Sequence, residues 1–129
     1  MHTHINPTTI APPFARYSQA VEVAAGLRWL YISGQVGVRP DGTMEQGFTA
    51  QAERAWDNVL AILAAAGMGP TDLVKANAYL TQGSDVLESR RIRDARLGSA
   101  APPAYTLAVV AALAKPDWLF EIEAVAAKA

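Results

Sequence analysis

Apolar and polar residues alternate with a period of two across residues 27–36: Leu30, Ile32, Gly34 and Val36 share one side, and Trp29, Tyr31, Ser33 and Gln35 share the other. This is the pattern of a strand with one face in a core. A shorter apolar run at residues 20–24 precedes it, and Gly26 can make the turn between them by accepting positive φ. Over residues 49–66 the period changes, and Ala52, Ala55, Trp56, Val59, Leu60 and Leu63 recur at three and four, predicting a helix closed by Gly67. Gln51, Glu53, Arg54, Asp57 and Asn58 fall off that stripe, so the helix is expected to lie on a sheet with its other side wet. Residues 73–80 return to a strand, with Val74, Ala76, Ala78 and Leu80 on one face. Asp85 opens a second helix with Glu88 in its acidic first turn, and this helix ends near Gly98. After Pro102-Pro103 come a long apolar strand at residues 105–113, a turn at Lys115-Pro116-Asp117 and a last strand at residues 119–127.

The predicted order is β-β-(short β)-α-β-α-β-β, the short element lying near the Pro40-Asp41-Gly42 turn. A mixed sheet with two helices packed on one face makes an α+β domain. Residues 1–13, with three prolines, read as an N-terminal arm that orders only where it meets the domain of residues 14–129. If both helices cover one sheet face, Trp29, Tyr31, Leu107 and Val109 would leave an apolar patch on the other. Burial against another subunit would remove it.

Composition narrows the function classes. With 129 residues, 51% hydrophobic and 18% charged, the chain is too apolar for disorder, and it has no uninterrupted apolar span of membrane length. A net charge of −1 gives no global attraction to nucleic acid or anionic lipid. With no cysteine and both histidines in the arm, at His2 and His4, thiol chemistry and a serine–histidine–acid set are excluded, and neither a metal nor a cofactor is expected. The N-terminus lacks the features of a signal peptide, so a cytoplasmic location is expected.

Three segments carry the chemistry: Tyr17-Ser18-Gln19-Ala20, Ser33-Gly34-Gln35-Val36 and Glu121-Ile122-Glu123-Ala124. With Gln51-Ala52-Glu53-Arg54-Ala55 and the strand at residues 73–80, they resemble, in order and spacing, the YjgF/RidA family of enamine/imine deaminases, also called L-PSP proteins. The resemblance runs from Phe14 to Ala126. It implies the chorismate-mutase-like fold of the Bacillus type, assembly as a homotrimer, and ligand clefts between neighbouring subunits that take a small carboxylate or an enamine/imine metabolite.

Residue by residue, the resemblance makes Glu121 the cleft glutamate that positions a water or passes a proton, and Tyr17 the cleft tyrosine. It makes Ser33 and Gly34 the segment whose hydroxyl and backbone touch the ligand. Glu123 shares the strand face of Glu121 but is read as structural. Read without the resemblance, the carboxylates reach solvent or an arginine at a subunit boundary, and Tyr17 is a core aromatic.

The chain departs from the family at one place. Deaminating members hold the substrate carboxylate with an arginine on the strand before the last, beside backbone amides that orient water. Those amides correspond to Thr106 and Leu107, and the arginine position is occupied by Tyr105, with no arginine between Arg96 and the C-terminus. A guanidinium fork makes two charge-assisted bonds worth roughly 1.5–3 kcal/mol each, so its loss should weaken transition-state binding at least about a hundredfold. Arg90, in a helix that also carries Arg91, Arg93 and Arg96, is a candidate replacement. The alternative is a solvated basic face paired with Glu88 and Asp94.

Four functions compete. An altered enamine/imine deaminase would use Glu121 and Tyr105, and a non-catalytic metabolite-binding trimer would keep the cleft alone. A specialised pathway enzyme would act on an unsaturated carboxylic acid. A ribonuclease would rest on the arginine-rich helix, but the domain lacks a histidine base and an overall positive field.

Overall fold

The computed structural model describes residues 1–129. Strands β1 (Thr3–Ile5), β2 (Ala20–Glu22) and β3 (Arg28–Gln35) are followed by helix α1 (Phe48–Ala65) and a 3₁₀ turn (Pro70–Asp72). Strand β4 (Leu73–Thr81), helix α2 (Val86–Leu97), and strands β5 (Ala104–Val110) and β6 (Phe120–Lys128) complete the chain.

The main sheet has the order β3-β6-β4-β5, with β6 antiparallel to both neighbours and β4 parallel to β5. Since β6 opposes both β3 and β4, those two strands also run parallel. Each helix therefore links parallel strands, and both links move across the sheet in the same direction. Right-handed crossovers then place α1 and α2 on one face. The α+β architecture of two helices on a mixed sheet follows from this.

The core lies between that face and the helices. Trp56, Val59, Leu63 and Ile92 meet Leu73, Leu80, Phe120 and Ile122. Alanines at Ala76, Ala78, Ala124 and Ala126 keep the middle strands low beneath the indole of Trp56, the largest fully buried side chain. Phe48 meets Phe120 edge to face, with centroids 6.0 Å apart.

Several expectations change. Gln51 was placed on the wet side of α1 but is only 3% exposed. Its amide nitrogen donates to Asp117 O at 2.9 Å and Glu45 O at 3.2 Å, and its oxygen accepts from Leu119 N at 2.9 Å. The apolar run at residues 105–113 is a strand only to Val110, because its partner β4 ends opposite, at Thr81. The short strand near Pro40 reduces to a single bridge between Val38 and Met44.

The segment read as an arm contains a strand. Thr3–Ile5 pairs antiparallel with Ala20–Glu22, the His4 ring bonds Ser18 Oγ at 2.8 Å, and His2 Nε2 donates to Asp72 O at 3.1 Å. A run of three residues before a proline carries no periodicity from which this could be read. The expected apolar patch is also redistributed. Tyr105 and Leu107 pack against the core, and Val109 shares their side of β5, whereas Trp29 and Tyr31 lie on the open face with rings 6.4 Å apart.

Candidate functional site

A cavity of about 260 Å³ opens between the loop at residues 14–17, helix α2 and strand β5, and it is lined by Phe14, Tyr17, Arg90, Arg93, Tyr105 and the Thr106–Leu107 segment. Five of the residues picked out in the sequence thus come together: Tyr17, Arg90, Tyr105, Thr106 and Leu107. Each wall has a local cause. Asp85 starts α2 by accepting from Leu87 N at 2.9 Å and Glu88 N at 3.2 Å, and Gly98, at φ 58°, ends it. Arg16 ties the loop to the far end of α2, donating to Gly98 O at 2.6 Å, Ala100 O at 2.7 Å and Asp94 O at 3.4 Å. A cation on these carbonyls also complements the negative end of the helix. Ser18 completes the attachment, its backbone N–H bonded to Pro103 O and its hydroxyl to Pro102 O.

The charges of α2 sort themselves by face. Arg91 pairs with Glu88 at 2.5 Å, and Arg96 pairs with Asp57 at 3.1 Å and Glu53 at 3.4 Å. Arg90 has no ion pair. Glu88 and Asp94, the partners expected of a solvated basic face, instead serve Arg91 and Arg93. Arg90 and Arg93, one turn apart, both line the cavity, and no acidic residue does.

Tyr105 faces inward. Its hydroxyl is enclosed and without a hydrogen-bond partner, and its ring lies 4.9 Å beneath the guanidinium carbon of Arg93. Burial pushes the phenol up to about 12; the nearby Arg93 cation opposes this, as do Ser89 and Arg90 more weakly. Ser89 Oγ is itself buried and unpartnered, so neighbour and phenol lie close without forming a well-aligned bond. What Tyr105 shows to the cavity is therefore not its hydroxyl.

Strand β5 is the sheet edge. Of Thr106 and Leu107, one turns its backbone N–H and C=O toward β4, and the other turns them outward, where no strand follows. The Thr106 hydroxyl is engaged elsewhere, accepting from Lys75 Nζ at 2.7 Å on the open face. Desolvation lowers the Lys75 ammonium from its usual value.

The remaining predicted residues form a second group. Glu121 lies directly over Gly34, where an added Cβ would sit 1.9 Å from Glu121 Oε2. This contact explains the glycine: any larger residue would displace the carboxylate. The register of β3 slips against β6 between Ile32 and Gln35, which brings the Ser33-Gly34 backbone out of the ladder. Glu123 is occupied, accepting from Tyr79 Oη and from Asn77 Nδ2, and this bond raises the Tyr79 phenol above its usual value. Glu121 has no side-chain partner.

Within one chain the two groups are apart. Tyr105 aligns with Ala76 and, across β4, Ala124, on the helix side, whereas Glu121 lies three residues beyond Ala124 on the open side. The separation is roughly 10 Å across two strands and roughly 10 Å along them, through the sheet. Arg93 and Phe14 were not singled out in the sequence. The signal for Arg93 was its i+3 spacing from Arg90 on one helical face.

The sequence profile of the family described as Endoribonuclease L-PSP matches residues 8–128. Protein DfrA of Myxococcus xanthus is 37% identical over 129 residues, spanning 98% of this chain and 92% of that protein. A 2-iminobutanoate/2-iminopropanoate deaminase of Bos taurus is 38% identical over 124 residues, spanning 93% of this chain and 82% of that protein. Among solved structures, YyfB of Yersinia pestis, of the conserved Rid protein family, superposes with a TM-score of 0.85 at 35% identity, covering 97% of each chain. A profile match over nearly the whole chain, with a curated relative at 37% identity and a solved structure at 35%, settles the family: this chain belongs to the endoribonuclease L-PSP family, the YjgF/RidA group.

Proposed function

We propose that this chain is a RidA-like protein whose small-molecule cleft is completed when copies assemble as a homotrimer, and that its chemistry is a variant of enamine/imine hydrolysis. One observation carries the reading. Tyr17, Arg90, Tyr105 and the β5 edge converge on one cavity, while Ser33, Gly34 and Glu121 converge on the opposite side of the sheet. A second copy can set the latter group against the former, whereas a single chain cannot.

In the assembled cleft, the unpartnered Glu121 carboxylate of one copy takes a proton from water as the water adds to the C=N carbon of an imine held by its neighbour. An outward N–H of β5 holds that water in line. Proton transfer to nitrogen and cleavage of the C–N bond then release ammonia and leave a carbonyl compound. The reaction needs no cofactor. The anchor for the substrate's acidic group comes from α2, because position 105 carries a phenol whose hydroxyl is turned away.

The test is ammonia release from freshly generated 2-aminoacrylate, with and without the protein. Acceleration is expected to be present but weak. No acceleration at high protein concentration rules out this substrate. The inward Tyr105 hydroxyl favours a second reading, a trimer that binds a metabolite without turnover. In that case calorimetry would detect binding of a stable carboxylate while the ammonia assay stayed at background.

A further inference from the structure

The guanidinium of Arg93 is in an unusual position. Its side chain is 2% exposed, and its one hydrogen bond runs from Nε to Asp94 Oδ1 at 3.0 Å. The two Nη groups, which carry four of the five donor hydrogens, make no well-aligned hydrogen bond to the protein, the nearby Tyr105 hydroxyl included, and the residue lines the cavity. A guanidinium so nearly enclosed has little water around it, so an acceptor in the cavity that meets its free donors gains more than it would at an open surface. The Tyr105 ring lies against the guanidinium, 4.9 Å from its carbon, and a ring in this position restricts the fork to one plane.

We propose that Arg93, assisted by Arg90, is the anion-binding end of the cavity and that it takes the carboxylate of a small organic acid through its two Nη groups. A planar fork held on an aromatic ring matches a planar carboxylate in bidentate fashion. Asp94 occupies the Nε edge and leaves the Nη end for the ligand. Arg90 adds a second positive charge at the same wall with no acid to neutralise it. Tyr105 thereby acquires a role as a positioning residue, through its ring rather than its hydroxyl. A volume of about 260 Å³ suits an acid of a few carbons.

The inference deepens the reading of the site given above, but all its residues belong to one chain and it requires no turnover. The two can therefore fail separately. Absence of ammonia release would remove the hydrolytic reading alone, and a monomeric protein would remove the inter-subunit cleft alone.

The experiment is calorimetric titration of the full chain with pyruvate and, separately, with pyruvamide, its neutral near-isostere. Pyruvate is expected to bind and pyruvamide to bind at least about tenfold more weakly. In Arg93→Lys, which keeps the charge but loses the fork, pyruvate affinity should fall about tenfold, and in Arg93→Met the preference for pyruvate should disappear. Arg91→Lys, on the face paired with Glu88, should bind as the parent does. If Arg93→Met does not fold, Arg93→Lys and the pyruvate–pyruvamide pair still decide the question. A merely structural Arg93 would alter thermal stability while leaving the ratio of the two affinities unchanged, and that result overturns the proposal. So does equal binding of both ligands, or binding of neither.

Discussion

Tyr105 concentrates the residue-scale physics of this protein. Its buried hydroxyl lacks a partner, and the neutral phenol is held to about 12 against an ordinary 10.0. The folded state thus keeps this proton more tightly than the unfolded chain does. Stability from this group is fully present below pH 10 and is lost as pH rises toward 12. The loss should amount to about 2–3 kcal/mol for a shift of this size. Tyr105→Phe should remove this alkaline sensitivity, measured by urea unfolding at neutral and alkaline pH. At neutral pH it should be neutral or stabilising by up to about 1 kcal/mol, since an orphan hydroxyl is removed and the ring beneath Arg93 is retained. A loss well beyond that at neutral pH would mean that the hydroxyl is bonded after all. At this scale the resemblance to the family singled out position 105, where it implies an arginine in deaminating members and the chain has a tyrosine. It did not reveal the direction of the side chain, since Thr106 alone breaks the apolar run from Tyr105 to Val110, too little to set its phase.

Among the elements, α1 is tied to the loops by Gln51 rather than by its apolar stripe alone. Gln51 joins three backbone groups in two loops, and its Leu119 contact sits at the entry to β6, two residues before Glu121. Gln51→Ala would leave one amide N–H and two carbonyls without that partner. It should destabilise the fold by about 2–4 kcal/mol, measured as a lower midpoint in urea with an unchanged slope. An effect under about 0.5 kcal/mol would show that water replaces the glutamine. The helix stripe was legible because its period of 3.6 sums over many residues. Gln51 was not, because a polar residue off the stripe reads as solvent-facing until a loop from elsewhere in the chain is placed over it. The same reasoning covers β1: three residues carry no period, and their pairing with β2 exists only through a contact across the intervening chain.

For the whole molecule, one sheet face is covered by two helices and the other is not. Trp29 and Tyr31 stand on that open face, with Tyr31 76% exposed. Covering them with another copy would bury aromatic surface at roughly 25 cal/mol per Å². Under the proposed homotrimer, Tyr31→Asp should shift sedimentation toward a monomer and, with it, abolish any activity that needs Glu121 from a neighbour. The helix-side core lies away from this substitution, so circular dichroism of the variant should still report a folded chain. A parent that already sediments as a monomer would remove the shared-cleft reading.

The sequence by itself determined both helices, the longer strands and the family. Hydrophobic periods and turn residues act locally and survive without a tertiary frame, and the resemblance carried by the spaced segments, rather than any period, pointed to Tyr17, Ser33, Gly34, Arg90, Tyr105 and Glu121. Only the tertiary structure decided how these divide. Strand register placed Glu121 over Gly34 on one side of the sheet and Tyr105 under α2 on the other. The fold also separated the arginines of α2: Arg91 and Arg96 pair with carboxylates away from the cavity, whereas Arg90, which has no ion pair, and Arg93, paired with Asp94 through Nε, line it. The physical reason is that charge pairing and burial depend on neighbours distant in the chain, whereas periodicity depends on neighbours within one or two turns.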